Sequence, residues 1–234
     1  MRIVVIGRGK MGKLIKSTAE EQGHEIVGLY DIENKDEVLS EPCDVIMDFS
    51  HRDNLQWVSE YAKDKGAAIV YGTTGLTDEH KAMLAAAAED VPVFFASNFS
   101  LGVAVLKKAV ETVAPALRDT FDIEVIEIHH NQKADAPSGT AKTLVEAIDP
   151  GNEFEKTYGR EGMTGKRRKE IGVHAIRGGT VAGEHQVLFL GKDEEVIFKH
   201  KAISRQIFVN GALKAAEFLV GKEPGMYGME DLIK

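Results

Sequence analysis

Cysteine occurs only once in this 234-residue chain, at Cys43, so no intramolecular disulfide can form and a reducing compartment suits it. Positive charge is also in short supply. Lys plus Arg number 29 against 37 Asp plus Glu, a formal net charge of −8, which argues against nonspecific affinity for nucleic acid or acidic membranes. There is no basic recognition helix, no internal repeat, no low-complexity tract and no Pro-rich linker. No apolar run approaches the roughly 18 residues of a membrane span, and the first, Ile3 to Ile6, is too short for a signal-peptide core. The expectation is a cytoplasmic protein without membrane or nucleic-acid partners. With 43% hydrophobic residues, the chain can bury a core without disulfides or metals, as one large or two modest domains.

The N-terminal segment carries a cofactor signal. Arg2 to Gly7 is a short β-branched run that leads at once into Gly7-Arg8-Gly9-Lys10-Met11-Gly12 and then a helix-like stretch, Lys13 to Gln22. This is G-x-G-x-x-G between strand and helix, where it has a mechanical meaning: Gly7 makes the turn, Gly9 lets backbone approach a pyrophosphate, and Gly12 permits close helix–strand packing. A second apolar strand, Glu25 to Tyr30, ends in Asp31, placed to accept hydrogen bonds from a ribose. The Asp31 carboxylate repels a 2′-phosphate and is followed by Ile32 rather than arginine, which favours NAD(H). Arg8, Lys10 and Lys35 are near enough in sequence to accommodate NADP(H) as the second choice.

Up to about residue 97 the pattern alternates strand and helix: Asp44 to Asp48, Asn54 to Lys65, Ala67 to Tyr71, Asp78 to Glu89, Val91 to Ala96. Such alternation predicts a Rossmann-type parallel sheet covered on both faces. Ligands bind outside the carboxyl ends of such strands. The loops that follow them, including Gly72-Thr73-Thr74-Gly75 and Ala96-Ser97-Asn98-Phe99, are therefore predicted on the ligand side. Ser97 to Phe99 has two readings, flanking a nicotinamide or capping the helix that begins near Ser100.

Beyond residue 100 a long helix, Leu101 to Leu117, precedes strands that follow one another directly: Asp122 to His130, then near Ile171 to Arg177, His185 to Leu190 and Glu195 to Ala202. This predicts a smaller α+β domain with a mixed or antiparallel sheet. Apolar parity slips at Val125-Ile126, which predicts a strand that is bulged or buried on both faces. A closing helix, about Asn210 to Val220, returns to the first domain. The expected division is residues 1–97 with about 210–234 for dinucleotide binding, and about 98–209 for substrate binding and oligomerisation. The basic run Lys166 to Lys169 reads as a solvated loop, with drawing in an anionic substrate as the alternative.

The chemistry concentrates in Glu127 to Ala141. A histidine can give or take a proton near neutral pH, a role open to His129 or His130; Lys133 is a point charge that can hold a carboxylate and act as an acid when its pKa is lowered. Ser138 after Pro137 reads as a helix N-cap, which turns the N–H groups of Gly139 and Thr140 toward an anion. Adjacent histidines on a strand face opposite ways, and no Cys or His lies at ligand spacing, so no metal is expected. The inference is a pocket for a small anion beside a proton-transfer group.

Together, G-x-G-x-M-G, Gly-Thr-Thr-Gly, Ser-Asn-Phe-Ser and E-x-H-H-x-x-K-x-D-A-P-S-G-T-A resemble the 4-hydroxy-tetrahydrodipicolinate reductase (dihydrodipicolinate reductase) family of lysine and diaminopimelate synthesis. The likeness continues through Arg177-Gly178-Gly179, Gly183-Glu184-His185 and His200-Lys201-Ala202. It implies that His129 is the proton donor or acceptor and Lys133 a proton donor. His130, Gly139 and Thr140, with Ser138 at the helix start, bind a small dicarboxylate. Gly7 to Gly12, Asp31, Gly72 to Thr74 and Ala96 to Phe99 contact the cofactor. It further implies a homotetramer built through the second domain. Departures are an Asp48-Phe49-Ser50-His51 loop without a following proline and a short, charged stretch from Pro150 to Lys169. Two alternatives belong beside it: another two-domain NAD(P)-dependent reductase of an aspartate-derived metabolite, and a non-catalytic NADH-sensing regulator.

Overall fold

A computed structural model describes residues 1–31 and 42–234, which form two compact units: Met1–Leu101 with Gln206–Lys234, and Gly102–Arg205. Ile32 and Lys35 lie outside the described residues.

The first unit is a six-stranded, wholly parallel sheet in the order β11-β5-β4-β3-β1-β2. Its strands are β1 (Arg2–Ile6), β2 (Glu25–Tyr30), β3 (Val45–Asp48), β4 (Ala68–Tyr71), β5 (Pro92–Phe95) and β11 (Gly225–Tyr227). Every residue of β3 and β4 is buried, as a sheet covered on both faces requires. One face packs on α2 (Leu55–Lys65) and α3 (Asp78–Ala87) through Leu55, Val58, Tyr61 and Leu84. The other packs on α1 (Lys10–Glu21) and the returning α6 (Gln206–Leu219) through Ile15, Ala19, Ala212, Leu213 and Ala216. Short β-branched strands and alanine-rich helix faces allow this close layering. Helix α1 starts at Lys10, three residues before the sequence predicts, so Gly12 stands in its first turn. Helix α6 starts four residues early, and β11 lacked any periodic signal because it is three residues long.

The second unit is a five-stranded mixed sheet, β10-β9-β6-β8-β7, in which β6 pairs antiparallel with β9 and parallel with β8. Its strands are β6 (Asp122–His129), β7 (Glu155–Tyr158), β8 (Glu170–Arg177), β9 (Gly183–Leu190) and β10 (Glu195–Ala202). Helices α4 (Leu101–Leu117) and α5 (Gly139–Ile148) supply Leu106, Val110, Ala141 and Leu144 to the core on one sheet face, against Ile123, Val125, Val187 and Phe189. The opposite face carries half-buried Ile126, Ile128, Leu188 and Leu190, with Ile176 and Ile197 exposed.

Strand β6 is not bulged. Its register runs unbroken along both neighbours, and burial alternates strictly from Ile123 to His129. The apparent parity slip comes from Glu127, a carboxylate at an inward position where an apolar residue was anticipated. The basic run is also not simply solvated. Arg167 reaches back to the sheet, forming an ion pair with Asp122 and hydrogen bonds to Glu124 and the carbonyl of Ile123, while Lys169 lies over the Phe154 ring. Charged side chains thus tie the Pro150 to Lys169 stretch, with β7 inside it, to the sheet edge.

Candidate active site

In the first unit all the predicted loops lie at the carboxyl ends of the parallel strands, and β1 sits between β2 and β3, where the winding reverses. Gly7 has φ +111°, and a Cβ there would stand 2.7 Å from the Phe49 carbonyl oxygen, so the β1 and β3 loops abut. A Cβ on Gly12 would fall 1.7 Å from the Gly7 carbonyl oxygen; only glycine lets α1 come this close to the turn. Gly9 is the opposite case. It is the exposed N-cap of α1, with nothing within 4 Å of its Cβ position, leaving room for a phosphate against backbone at a helix N-terminus. This arrangement fits a dinucleotide's pyrophosphate.

Asp31 follows β2, and its carboxylate lies 3.8 Å from the guanidinium of Arg8. Lys10 is exposed, while Met11 packs partly into the core. The loops after β3 and β4 are joined by buried Asp48, whose Oδ1 accepts from the Ser50 amide and hydroxyl and from the Thr73 hydroxyl. Burial pushes the Asp48 carboxyl up to about 6 against these hydrogen bonds. The Thr73 hydroxyl is therefore committed to the scaffold, whereas Thr74 is exposed and Gly72 half-buried. Ala96 is buried, Ser97 is exposed, and Asn98 accepts from the Ser100 amide in a capping turn. The Phe99 ring is buried on Phe49 and Phe94, so this side chain serves the core rather than an open mouth.

In the second unit, His129 ends β6 on its buried face. Its Nδ1 is hydrogen-bonded to Glu127, which is fully buried two residues earlier on the same face. Arg177 at the end of β8 grips Glu127 with both guanidinium nitrogens, at 2.8 and 2.7 Å, and donates to the Asp135 carbonyl. The Ser138 amide also donates to Glu127. Burial opposes ionisation of Glu127, but Arg177, His129 and that amide hold its carboxyl below the usual range. Burial lowers the His129 pKa in spite of Glu127, and the charges of Lys133 and Arg177 act in the same direction. At neutral pH the imidazole is therefore mainly uncharged, with Nδ1–H directed at the carboxylate.

His130 and Lys133 stand on the loop that leaves β6, and the Lys133 ammonium pairs with Asp135 at 2.7 Å. Ser138 is the N-cap of α5: its hydroxyl accepts from the Ala141 amide and lies 3.1 Å from Nε2 of His185. Ser138 itself is buried, while Gly139 is exposed and open at its Cβ position, and Thr140 is half-buried. His185 stacks edge-on to His129 with ring centres 5.1 Å apart, and burial lowers its pKa to about 4, so it stays neutral.

The structure gathers His129, Lys133, Ser138 and Gly139 around one loop, and adds four residues to which sequence reading gave no role: Glu127, Arg177, Gly183 and His185. Glu127 was detectable in principle, since Glu-x-His on a strand shares a face. The others required knowledge of which strands flank β6. Among the described residues no group of three or more His, Cys, Asp or Glu is arranged to hold a metal ion.

Comparison with known proteins covers both units. Residues 1–99 match the family described as dihydrodipicolinate reductase, N-terminus, and residues 102–233 match its C-terminus. The chain is 41% identical, over the full length of both proteins, to a 4-hydroxy-tetrahydrodipicolinate reductase of Brachyspira hyodysenteriae. It is 44% identical to one of Alkaliphilus metalliredigens, covering 100% of this chain and 99% of the relative. Among solved structures, a dipicolinate-bound dihydrodipicolinate reductase from Paenisporosarcina sp. TG-14 superposes with a TM-score of 0.79 at 26% identity, covering 99% of each chain.

Proposed function

This chain belongs to the dihydrodipicolinate reductase family, and from that premise we propose that His129 and Lys133 carry its proton chemistry and that the α5 N-terminus holds its substrate. The enzyme is an NAD(P)-dependent oxidoreductase of lysine and diaminopimelate biosynthesis, converting 4-hydroxy-tetrahydrodipicolinate to tetrahydrodipicolinate. The balance is substrate plus NAD(P)H plus one proton giving product, NAD(P)+ and water. Bound NAD(P)H supplies the hydride.

The chain's own residues do the rest. Gly9 and the α1 N-terminus take the pyrophosphate, and Asp31 takes the ribose. The substrate has two carboxylates, which need convergent donors: Lys133, His130 and the backbone at Gly139 and Thr140. Ser138 acts by capping α5, which sets where those amides point. Neutral His129 accepts a proton at Nε2 and, as an imidazolium held by Glu127, returns it; Lys133 is the second donor.

The observation that carries this reading is the buried Glu127–His129 pair beside the loop bearing Lys133 and Gly139. The discriminating experiment supplies freshly generated 4-hydroxy-tetrahydrodipicolinate and follows reduced-nicotinamide absorbance. Turnover that survives His129→Gln would remove His129 from its role, and no oxidation by the native enzyme would remove the reaction.

NADH is the better cofactor because Asp31 opposes a 2′-phosphate, with Arg8 the group that permits NADPH. The half-buried apolar face of the five-stranded sheet, with Ile176 and Ile197 exposed, supports a homotetramer assembled through the second unit, which sedimentation would test. Among the described residues no helix is long and apolar enough to cross a membrane. The single cysteine, Cys43, supports a cytoplasmic enzyme.

A further inference from the structure

We infer that Glu127 is a positioning residue for the reaction, holding His129 in the tautomer that presents an unprotonated Nε2, and that Arg177 locks Glu127 in place. The inference rests on the role just assigned to His129, and three features of the second unit carry it.

The first is directional. Of the two ring nitrogens, Nδ1 is occupied by Glu127, whose carboxylate is an acceptor, so the proton of the neutral ring belongs on Nδ1. The second is room at the other nitrogen. Gly183, at the start of β9, stands close to the His129 ring, and a Cβ there would lie 3.1 Å from Nε2. Glycine keeps a side chain away from the nitrogen that must meet substrate.

The third is that Glu127 cannot turn away. Arg177 holds both of its oxygens, the Ser138 amide holds Oε1, and the residue has no solvent exposure. Through the same contacts Glu127 and Arg177 brace the later part of the loop: Arg177 donates to the Asp135 carbonyl, and Glu127 accepts from Ser138 at the start of α5. One buried ion pair therefore orients the imidazole and the anion-binding backbone together. An orienting carboxylate of this kind makes the imidazole a better base by stabilising the imidazolium.

The charged and titratable groups facing His129 are Glu127 on its own strand, His185 on β9, Arg177 on β8 and Lys133 on the loop. Glu127 is the sole anion among them. Replacing it with Gln keeps the shape and removes the charge, so the His129 midpoint should fall by about one unit or more. Glu127→Asp keeps the charge but draws it back from Nδ1 by one methylene, so the midpoint should fall there too, by less than in Glu127→Gln. Exchange of the imidazole C2 hydrogen, read at His129 by mass spectrometry across pH, measures both shifts without requiring turnover.

In the steady state, Glu127→Gln should lower kcat on the order of 100-fold while the KM for NADH stays within about twofold. The pH limb of kcat/KM should move with the His129 midpoint. A midpoint in Glu127→Gln within about half a unit of native, or above it, would overturn the positioning role. If that variant does not fold, a Glu127→Asp midpoint that stays put or rises overturns it equally. Should the native enzyme fail to reduce 4-hydroxy-tetrahydrodipicolinate while these midpoints still move as stated, the reaction assignment fails and the Glu127–His129 coupling stands.

Discussion

Gly183 stands just beyond Glu184, the last residue of β9 in register with β6, and the space its missing side chain leaves is the space in front of Nε2 of His129. A methyl group there would sit 3.1 Å from that nitrogen, closer than packed groups ordinarily approach. Because Nδ1 is tied to Glu127, the ring cannot retreat without breaking a buried hydrogen bond. Gly183 also has φ +157°, which L residues rarely adopt, so Gly183→Ala should lower kcat roughly tenfold by straining the strand end and displacing the imidazole a few tenths of an ångström, with NADH binding unchanged. Steady-state kinetics with both ligands would check it; a rise in the KM for NADH alone would contradict it.

Lys133 is already paired with Asp135, so its ammonium is held near the loop rather than waving in solvent. Lys133→Ala deletes a charge-assisted contact of about 1.5–3 kcal/mol, which corresponds to a loss of roughly 10- to 100-fold in kcat/KM for the dicarboxylate. Both kcat and substrate KM should suffer, since an acid and an anchor disappear together. A variant that loses only cofactor affinity would show that Lys133 does something else.

The Arg8–Asp31 pair at 3.8 Å places both signs of charge at the end of β2. Asp31→Ser should raise kcat/KM for NADPH relative to NADH by about fivefold or more, as a repulsion of about 1 kcal/mol or more is relieved. Arg8→Ala should shift the ratio the other way. Parallel kinetics with the two cofactors would decide, and equal ratios in all three proteins would rule out this pair as the discriminator.

Asp48 gives a pH dependence whose sign is unusual for a carboxylate. Burial raises its pKa from 3.8 to about 6, so between those values the folded protein binds more protons than the unfolded chain. Stability from this group is present below about pH 4 and is lost as pH rises through about 6, by roughly 3 kcal/mol at most. Asp48→Asn removes the titration. The Tm difference between variant and native protein should move in the variant's favour from pH 4 to pH 7, and a difference that is flat with pH would show that Asp48 is not held as described.

Much of the first unit was legible because parallel strands buried on both faces are continuous β-branched runs, and because Gly7 and Gly12 of the fingerprint have local steric duties. Ser138 as an N-cap was legible for a similar reason: capping uses neighbours within three residues. The Phe99 ring was harder to place, since Asn-Phe-Ser reads the same whether the ring faces a ligand or the core, and packing on Phe49 and Phe94 settled it.

Sequence alone therefore determined the order of elements apart from β7 and β11, the glycine turn after β1 and the N-cap of α5, all of which depend on short-range sterics and on side-chain type. Tertiary pairing decided the rest. Setting β6 between a parallel β8 and an antiparallel β9 turned Glu127 inward, brought Arg177 from 50 residues away onto it, and placed Gly183 before Nε2. Those neighbours are chosen by sheet register, which leaves no periodic trace within any one segment of the chain.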